Sequence, residues 1–240
     1  MVQELRGLGE VSIVAPDHNW SASGHVKTLR RPLRAKEVQL ADGTTGLACD
    51  GAPSDCVALA VMGLLPDPID IVVSGINHGP NMGEDVIYSG TVAAAMEGRF
   101  LGLPTIAVSL VGRTLVGAQL THFSTAARVA VELVQTIERA GLAPDTVLNV
   151  NVPDLPFDEL TGIRATRLGF RHKSEQVLKD TDPYGRPIYW IGPAGVGQDA
   201  GEARGAVVLA DEDPQPPALV VELGAGDQVP HAQRSISTCR

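Results

Sequence analysis

Apolar positions along the chain alternate between short unbroken runs and a helical repeat. The runs VSIVA (11–15), DIVVS (70–74), TIAVSL (105–110) and VLNVNVP (147–153) are brief and bounded by turn-forming residues. That is the pattern of strands covered on both faces. Between them the repeat becomes helical. In MVQELRGLG, Val2, Leu5 and Leu8 share one face and Gly9 suits a stop, so the segment reads as the second half of a helix. Pro53 and Asp55 introduce a helix to Leu65 with Val57, Leu59, Ala60, Val61, Leu64 and Leu65 as apolar positions. A third helix opens near Ser89 or Gly90 and ends before Gly102. A fourth has Thr121 as its N-cap, an apolar face of Ala126, Val129, Leu133, Val134 and Ile137, and a stop at Gly141 and Pro144. KEVQL (36–40) and TGLAC (45–49) flank Asp42-Gly43 as a hairpin. This alternation predicts an α/β fold, a mostly parallel sheet with helices on both faces.

Beyond residue 153 the pattern shortens. GIRATRLGF and RPIYWIGP read as strands around a turn at Asp182, Pro183 and Gly185. They predict an antiparallel arm at about 165–195, with Trp190 packed inside it, rather than a second domain. Residues 1–202 then form one domain. AVVLA and ALVVEL in the remainder could be strands, but the last eighteen residues lack apolar periodicity, and 203–240 is expected to be poorly ordered.

Composition narrows the partners. The chain has 240 residues, 44% hydrophobic and 20% charged, with net charge -9 and pI about 5.1. Without a basic block, duplex nucleic acid and anionic membrane are poor partners. A small phosphate ligand needs only local donors and stays open. Cys49, Cys56 and Cys239 have no metal spacing and no even count, which fits a reducing compartment, and the first two read as small buried hydrophobes. The first residues lack a signal peptide's apolar core and no run approaches a membrane span, so the expectation is a cytoplasmic protein.

In parallel sheets ligands sit beyond the carboxyl ends of strands. Three polar stretches fall there: APDHNWSASG (15–24), SGINHGPNMG (74–83) and YSGTVAAAMEG (88–98). In the last, Ser89, Gly90 and Thr91 open a helix, whose free N–H groups and dipole favour phosphate. The alternative is that Ser89 is only an N-cap. Asn77 and Asn81 offer amide groups to a hard cation or an anion, or are simply turn residues. Ser21 and Ser23 supply hydroxyls and Asp17 a carboxylate that equally suits a turn. No GxSxG, GxGxxG or P-loop pattern is present, and the histidines lack zinc spacing. His18 and His78 are candidates to line the cleft. Trp20 would stack on a ligand base or cover the rim.

Together VSIVAPDHNWSASG, GAPSDCVALAV, DIVVSGINHGPNMGEDVIYSGTVAAAMEGRFLGLPTIAVSL, LNVNVPDLP, TRLGFRH and YWIGP resemble the SurE family, the survival-protein-E 5′/3′-nucleotidases, across about residues 1 to 200. The resemblance implies a Rossmann-like three-layer α/β fold and a divalent-metal phosphomonoesterase site, with Mg²⁺ or Mn²⁺ as the cation. It implies nucleoside monophosphate substrates and assembly into a homodimer or homotetramer through the arm. By motif, Ser21 and Asn77 match metal ligands, and Asn81, Ser89, Gly90 and Thr91 match positions around the phosphate. The family pattern opens with a strand leading into Asn-Asp-Asp-Gly, whose aspartates bind the metal. These 240 residues contain no match to it. The expectations are a hole or unpaired edge in the sheet, poor solubility, and weak activity or metal-free nucleotide binding.

Overall fold

The computed structural model describes residues 1–112, 119–166, 168–171 and 176–192, together with the backbone of strands at 197–198, 202–210, 218–219 and 221–222. The chain begins with a single helical turn, α1 (Val2–Leu5), which buries Leu5. Three strands come next, β1 (Val14–Pro16), β2 (Ala35–Gln39) and β3 (Thr45–Cys49). They form a sheet in the order β1-β3-β2, with β1 parallel and β2 antiparallel to β3. The expected hairpin around Asp42-Gly43 is therefore present, and the first strand is shorter than VSIVA.

α2 (Pro53–Leu59) starts where Pro53 needs no amide partner and the Asp55 carboxylate accepts the Ala52 N–H at 2.9 Å. It does not run to Leu65 as expected. A wider π-type turn covers Ala60–Leu64, and Gly63 at φ 131° breaks the helix there. β4 (Val72–His78), α3 (Gly90–Phe100), β5 (Thr105–Val111), α4 (Phe123–Ala140) and β6 (Leu148–Pro153) then alternate as predicted. The three strands pair in parallel.

Alternation along these strands divides the layers. Ile106, Val108 and Leu110 of β5 and Leu148, Val150 and Val152 of β6 pack against α4 through Ala126, Val129, Ala130, Leu133 and Ile137. The opposite face carries Ala107, packed with Val92 and Ala95 of α3. α3 lies so close that a Cβ on Gly98 would stand 2.7 Å from the Thr105 methyl carbon. The predicted N-cap at Thr121 is corrected: α4 starts after His122, and its first amides are capped from β6. Asp154 accepts N–H bonds from Thr121 at 3.1 Å and His122 at 2.7 Å.

The chain beyond β6 comprises β7 (Gly162–Thr166), β8 (Phe170–Arg171), β9 (Leu178–Thr181), β10 (Pro187–Trp190), β11 (Gly197–Gln198), β12 (Glu202–Ala210), β13 (Ala218–Leu219) and β14 (Val221–Glu222). Their pairings among the described residues are antiparallel, except that β14 runs parallel to β7. Among the described residues seven strands make the main sheet, in the order β13-β12-β7-β14-β6-β5-β4. Backbone strands thus occur within AVVLA and ALVVEL, while the other residues of 203–240, Cys239 included, lie outside the described residues. β9 and β10 form the expected hairpin arm, turned by Asp182, whose carboxylate accepts N–H bonds from Tyr184 and Arg186. Trp190 is not packed inside it: the side chain is 63% exposed, beside exposed Leu178, Tyr189 and Ile191. A short hairpin has too few layers to enclose an indole.

Between the two sheets lies an opening of the kind expected. Among the described residues β1 pairs only with β3, and β4 only with β5. A cavity of about 1080 Å³ separates their free edges.

Candidate active site

A one-residue bulge in β4 builds the site. Ser74 pairs with Ala107 and Asn77 with Ser109, so β4 spends one residue more than β5 over this step. Gly75, at φ 131°, absorbs it, and a Cβ there would collide with the Val108 carbonyl oxygen. The extra residue reverses the facing of the strand beyond it. Asn77 therefore shares the α3 side of the sheet with its partner Ser109, and Ser109 pairs onward with Asn151 of β6. Asn77, Ser109 and Asn151 form a polar row across three strands. The same reversal turns His78 to the α4 side, where its ring lies 6.1 Å from that of Phe123. His78, one of the two histidine candidates to line the cleft, thus faces away from the row.

Asn81 closes over this row and is 6% exposed. Its backbone N–H donates to Asn151 Oδ1 at 2.8 Å, and its carbonyl accepts from Asn149 Nδ2 at 2.8 Å and Asn151 Nδ2 at 3.0 Å. Its own amide donates to Ser109 Oγ at 2.8 Å. The loop carrying both candidate asparagines is therefore bolted to the sheet floor. Sequence reading missed Ser109, Asn149 and Asn151. The available signal was LNVNVP, where two asparagines alternate with valines inside an otherwise fully buried strand.

The α3 start faces the same row. Ser89, at 9% exposure, is the N-cap and accepts the Val92 N–H at 3.1 Å. Helix geometry leaves the Gly90 and Thr91 amides without an intrahelical acceptor. Thr91 Oγ1 donates to Asn77 Oδ1 at 3.3 Å, and Asn77 Nδ2 donates to the Gly79 carbonyl at 2.9 Å. Asn77, Gly90 and Thr91 are thus brought together, with Ser89 behind them as the cap.

The serine loop approaches from β1. Gly24 donates its N–H to the Tyr88 carbonyl at 3.0 Å, and the Trp20 carbonyl lies 3.8 Å from where a Cβ on Gly90 would stand. Glu97 of α3, 3% exposed, holds the following segment through His25 at 3.0 Å and Lys27 at 2.6 Å. Ser21 is exposed, and its hydroxyl donates to Asn19 Oδ1 at 2.6 Å rather than joining the Asn77–Thr91 pair. Asn19 is a further residue not singled out in the sequence. His18 bonds Asp17 at 2.6 Å and lies 4.9 Å from the Trp20 ring.

As a metal site the donor set does not suffice. Ser21 and Asn77 offer neutral oxygens, whereas hard dications take six to eight oxygens with carboxylates among them, or near-octahedral oxygens with retained waters. No group of three His, Cys, Asp or Glu side chains among the described residues could hold a metal. Among the described residues the cysteines supply no chemistry either. Cys49 and Cys56 are buried, and burial, reinforced by Cys49, pushes the Cys56 thiol well above its ordinary range.

Fold and site together define an α/β protein whose helix start, suited to an anion, meets a row of two amides and a hydroxyl at the carboxyl ends of parallel strands. Residues 1–175 match the family model for survival protein SurE. The chain is 51% identical over 201 residues to the 5′-nucleotidase SurE of Coxiella burnetii (strain Dugway 5J108-111), covering 84% of this chain and 74% of that protein. It is 53% identical over 201 residues to the 5′-nucleotidase SurE of Legionella pneumophila subsp. pneumophila (strain Philadelphia 1), covering 84% and 76%. The crystal structure of the SurE protein from Aquifex aeolicus superposes with TM-score 0.66 at 44% identity, over 81% of this chain and 75% of that one. The chain belongs to the SurE family.

Proposed function

We propose that the site binds the phosphate of a nucleoside monophosphate and serves its hydrolysis to nucleoside and inorganic phosphate. The observation that carries this reading is the meeting of the Gly90 and Thr91 amides with Asn77 above the Asn77–Ser109–Asn151 row. The helix start presents N–H donors to phosphoryl oxygens, where charge is held in the ground state and redistributed in transfer, and the Thr91 hydroxyl ties Asn77 to that start. Asn81 and Ser89 fix that geometry from behind. In hydrolysis water oxygen bonds to phosphorus, the ester P–O bond breaks, and the nucleoside oxygen departs with a proton. A divalent cation, Mg²⁺ or Mn²⁺, would supply charge neutralisation beside Ser21 and Asn77. Since these two alone hold a dication poorly, no step is assigned to it, and slow turnover is expected of the 240 residues.

The neutral donor set favours a second reading, a nucleotide- or phosphate-binding module without catalysis. Calorimetric titration with AMP, with and without Mn²⁺, combined with phosphate release, separates them. Metal-enhanced binding with detectable release supports the nucleotidase. Metal-independent binding without release supports the module, and no binding under either condition overturns both. The exposed β9–β10 arm supports a homodimer or homotetramer. We further place the protein in the cytoplasm; no helix among the described residues is long and apolar enough to cross a membrane.

A further inference from the structure

The strap that follows the serine loop is held by buried polar groups on two helices. Val26 and Leu29 are exposed, so residues 25–29 gain little from apolar burial. Their attachments are polar instead. On α2, the Ser54 hydroxyl donates to the Val26 carbonyl, and the Asp55 carboxylate accepts the Thr28 N–H at 2.9 Å and its hydroxyl at 2.7 Å. On α3 the anchor is Glu97. One carboxylate oxygen meets Lys27 Nζ at 2.6 Å and the other meets His25 Nε2 at 3.0 Å. The His25 ring also stacks on Phe100, with centroids 5.5 Å apart.

A buried carboxylate is a costly way to stabilise a helix, because desolvation offsets much of what an ion pair returns. Leucine would fill the same place on a helix whose buried face is already Ala93, Ala94 and Ala95. What the carboxylate adds is direction, since it bonds two residues of one strap at once. Gly90 and Glu97 are seven residues apart, so they share one face of α3, about 10 Å from each other along the axis. At Gly90 that face meets the Trp20 carbonyl, and at Glu97 it meets His25 and Lys27. The serine loop therefore runs along this face with a contact at each end. Beside the strap, Gly24 donates its N–H to the Tyr88 carbonyl at 3.0 Å, and its φ of 65° allows a close approach that a Cβ would block at the Ile87 carbonyl. Bonds within the loop join near neighbours, Ser21 to Asn19 and Ser23 to the Trp20 carbonyl. Its height over Gly90 is thus set by where its ends are fixed.

We propose that Glu97 is a positioning residue for nucleotide binding, a role that rests on the phosphate reading of the α3 start. By pairing with His25 and Lys27 it fixes the serine loop along α3, so that the Trp20 backbone closes against the Gly90 end of the phosphate site. Asp55 shares the task but also caps α2, so Glu97 is the residue that isolates the effect.

The test uses the full chain carrying Trp190→Phe, which leaves Trp20 as the remaining tryptophan. In this background Glu97→Leu keeps a similar volume and removes both pairs, and the released His25 and Lys27 are already partly exposed to water. Exchange of the Gly24 amide should quicken by about tenfold or more, and Trp20 emission should shift. AMP affinity by calorimetry should fall about tenfold. Exchange of the Ala93 amide, which bonds the Ser89 carbonyl in the first turn of α3, should stay within about twofold. Glu97→Gln keeps the shape and a bond to one partner, and should fall between parent and leucine variant in all three readouts. If the leucine variant does not melt cooperatively, His25→Ala with Lys27→Ala cuts the same link from the strap side and carries the same expectations. A folded variant with unchanged Gly24 exchange or unchanged AMP affinity overturns the proposal. Equal quickening at Ala93 also overturns it, since Glu97 would then serve only the helix. A parent chain that binds no AMP overturns the phosphate reading instead, and Gly24 exchange with Trp20 emission then decides whether Glu97 fixes the loop.

Discussion

Replacing Asn151 with leucine removes the floor of the candidate site without touching any group placed at the phosphate. Asn151 is fully buried and makes two bonds to Asn81, accepting its N–H at 2.8 Å and donating to its carbonyl at 3.0 Å. The carbonyl retains Asn149 Nδ2, but the Asn81 N–H is left buried with no replacement. An unmade buried donor costs about 1–3 kcal/mol and the second bond about 1 kcal/mol, so the variant should lose about 3 kcal/mol. For a chain of this length about 1 kcal/mol shifts the midpoint by about 2–4 °C, which predicts a fall of about 6–12 °C. Calorimetric melting measures it directly. Because Asn81 anchors the loop carrying Asn77, AMP affinity of the folded variant should fall as well. A midpoint within about 2 °C of the parent, or unchanged AMP affinity, would refute the idea that this network holds the loop.

Three further outcomes rest on particular contacts. Thr91→Val removes one hydroxyl at constant shape and should weaken AMP binding about tenfold by calorimetry with the melting temperature nearly unchanged, while Thr91→Ser retains most of it. Gly75→Ala demands φ 131° of a residue with a Cβ and drives that atom into the Val108 carbonyl; it should cost about 3 kcal/mol or more and appear as insoluble or non-cooperatively melting protein. Asp154→Ala uncaps α4 and should cost about 2 kcal/mol near neutral pH, measured by urea denaturation. Burial raises the Asp154 pKa, but hydrogen bonds from the His122 and Thr121 amides outweigh it and hold the carboxyl below its ordinary range. A depressed carboxylate stabilises above its unfolded pKa, so the gap between parent and variant should be constant from about pH 5 to 8. It should close only as pH falls below about 4.

The order of elements through residue 153 is legible because continuous apolar runs and helical repeats differ in period, and because Gly90, Gly141 and Pro53 punctuate them. Boundaries fail where a distant residue decides them. Thr121 looks like a cap in its own sequence, but Asp154, at the end of β6, reaches α4 first and carries charge. The helix expected to reach Leu65 stops early because Gly63 takes a backbone that the apolar repeat does not encode. Placing Trp190 inside the arm rests on hydrophobicity alone, which ignores how little a two-stranded hairpin can cover.

The site is half legible for a related reason. Asn77, Ser89, Gly90 and Thr91 stand in polar stretches and announce themselves, and the structure brings Asn77, Gly90 and Thr91 together with Ser89 as their cap. What makes them converge lies elsewhere, in the single extra residue of the β4 bulge. Without it, residue 76 would face Ser109 and Asn77 would point at α4. The same bulge brings Asn77 into line with Ser109 and Asn151, the floor to which Asn81 is tied, and it rests on the φ of 131° at Gly75. A motif read as a list of ligands is therefore equally a prescription for strand register. Substitutions that spare every polar group yet shift that register should disable the site as completely as removing Asn77 itself.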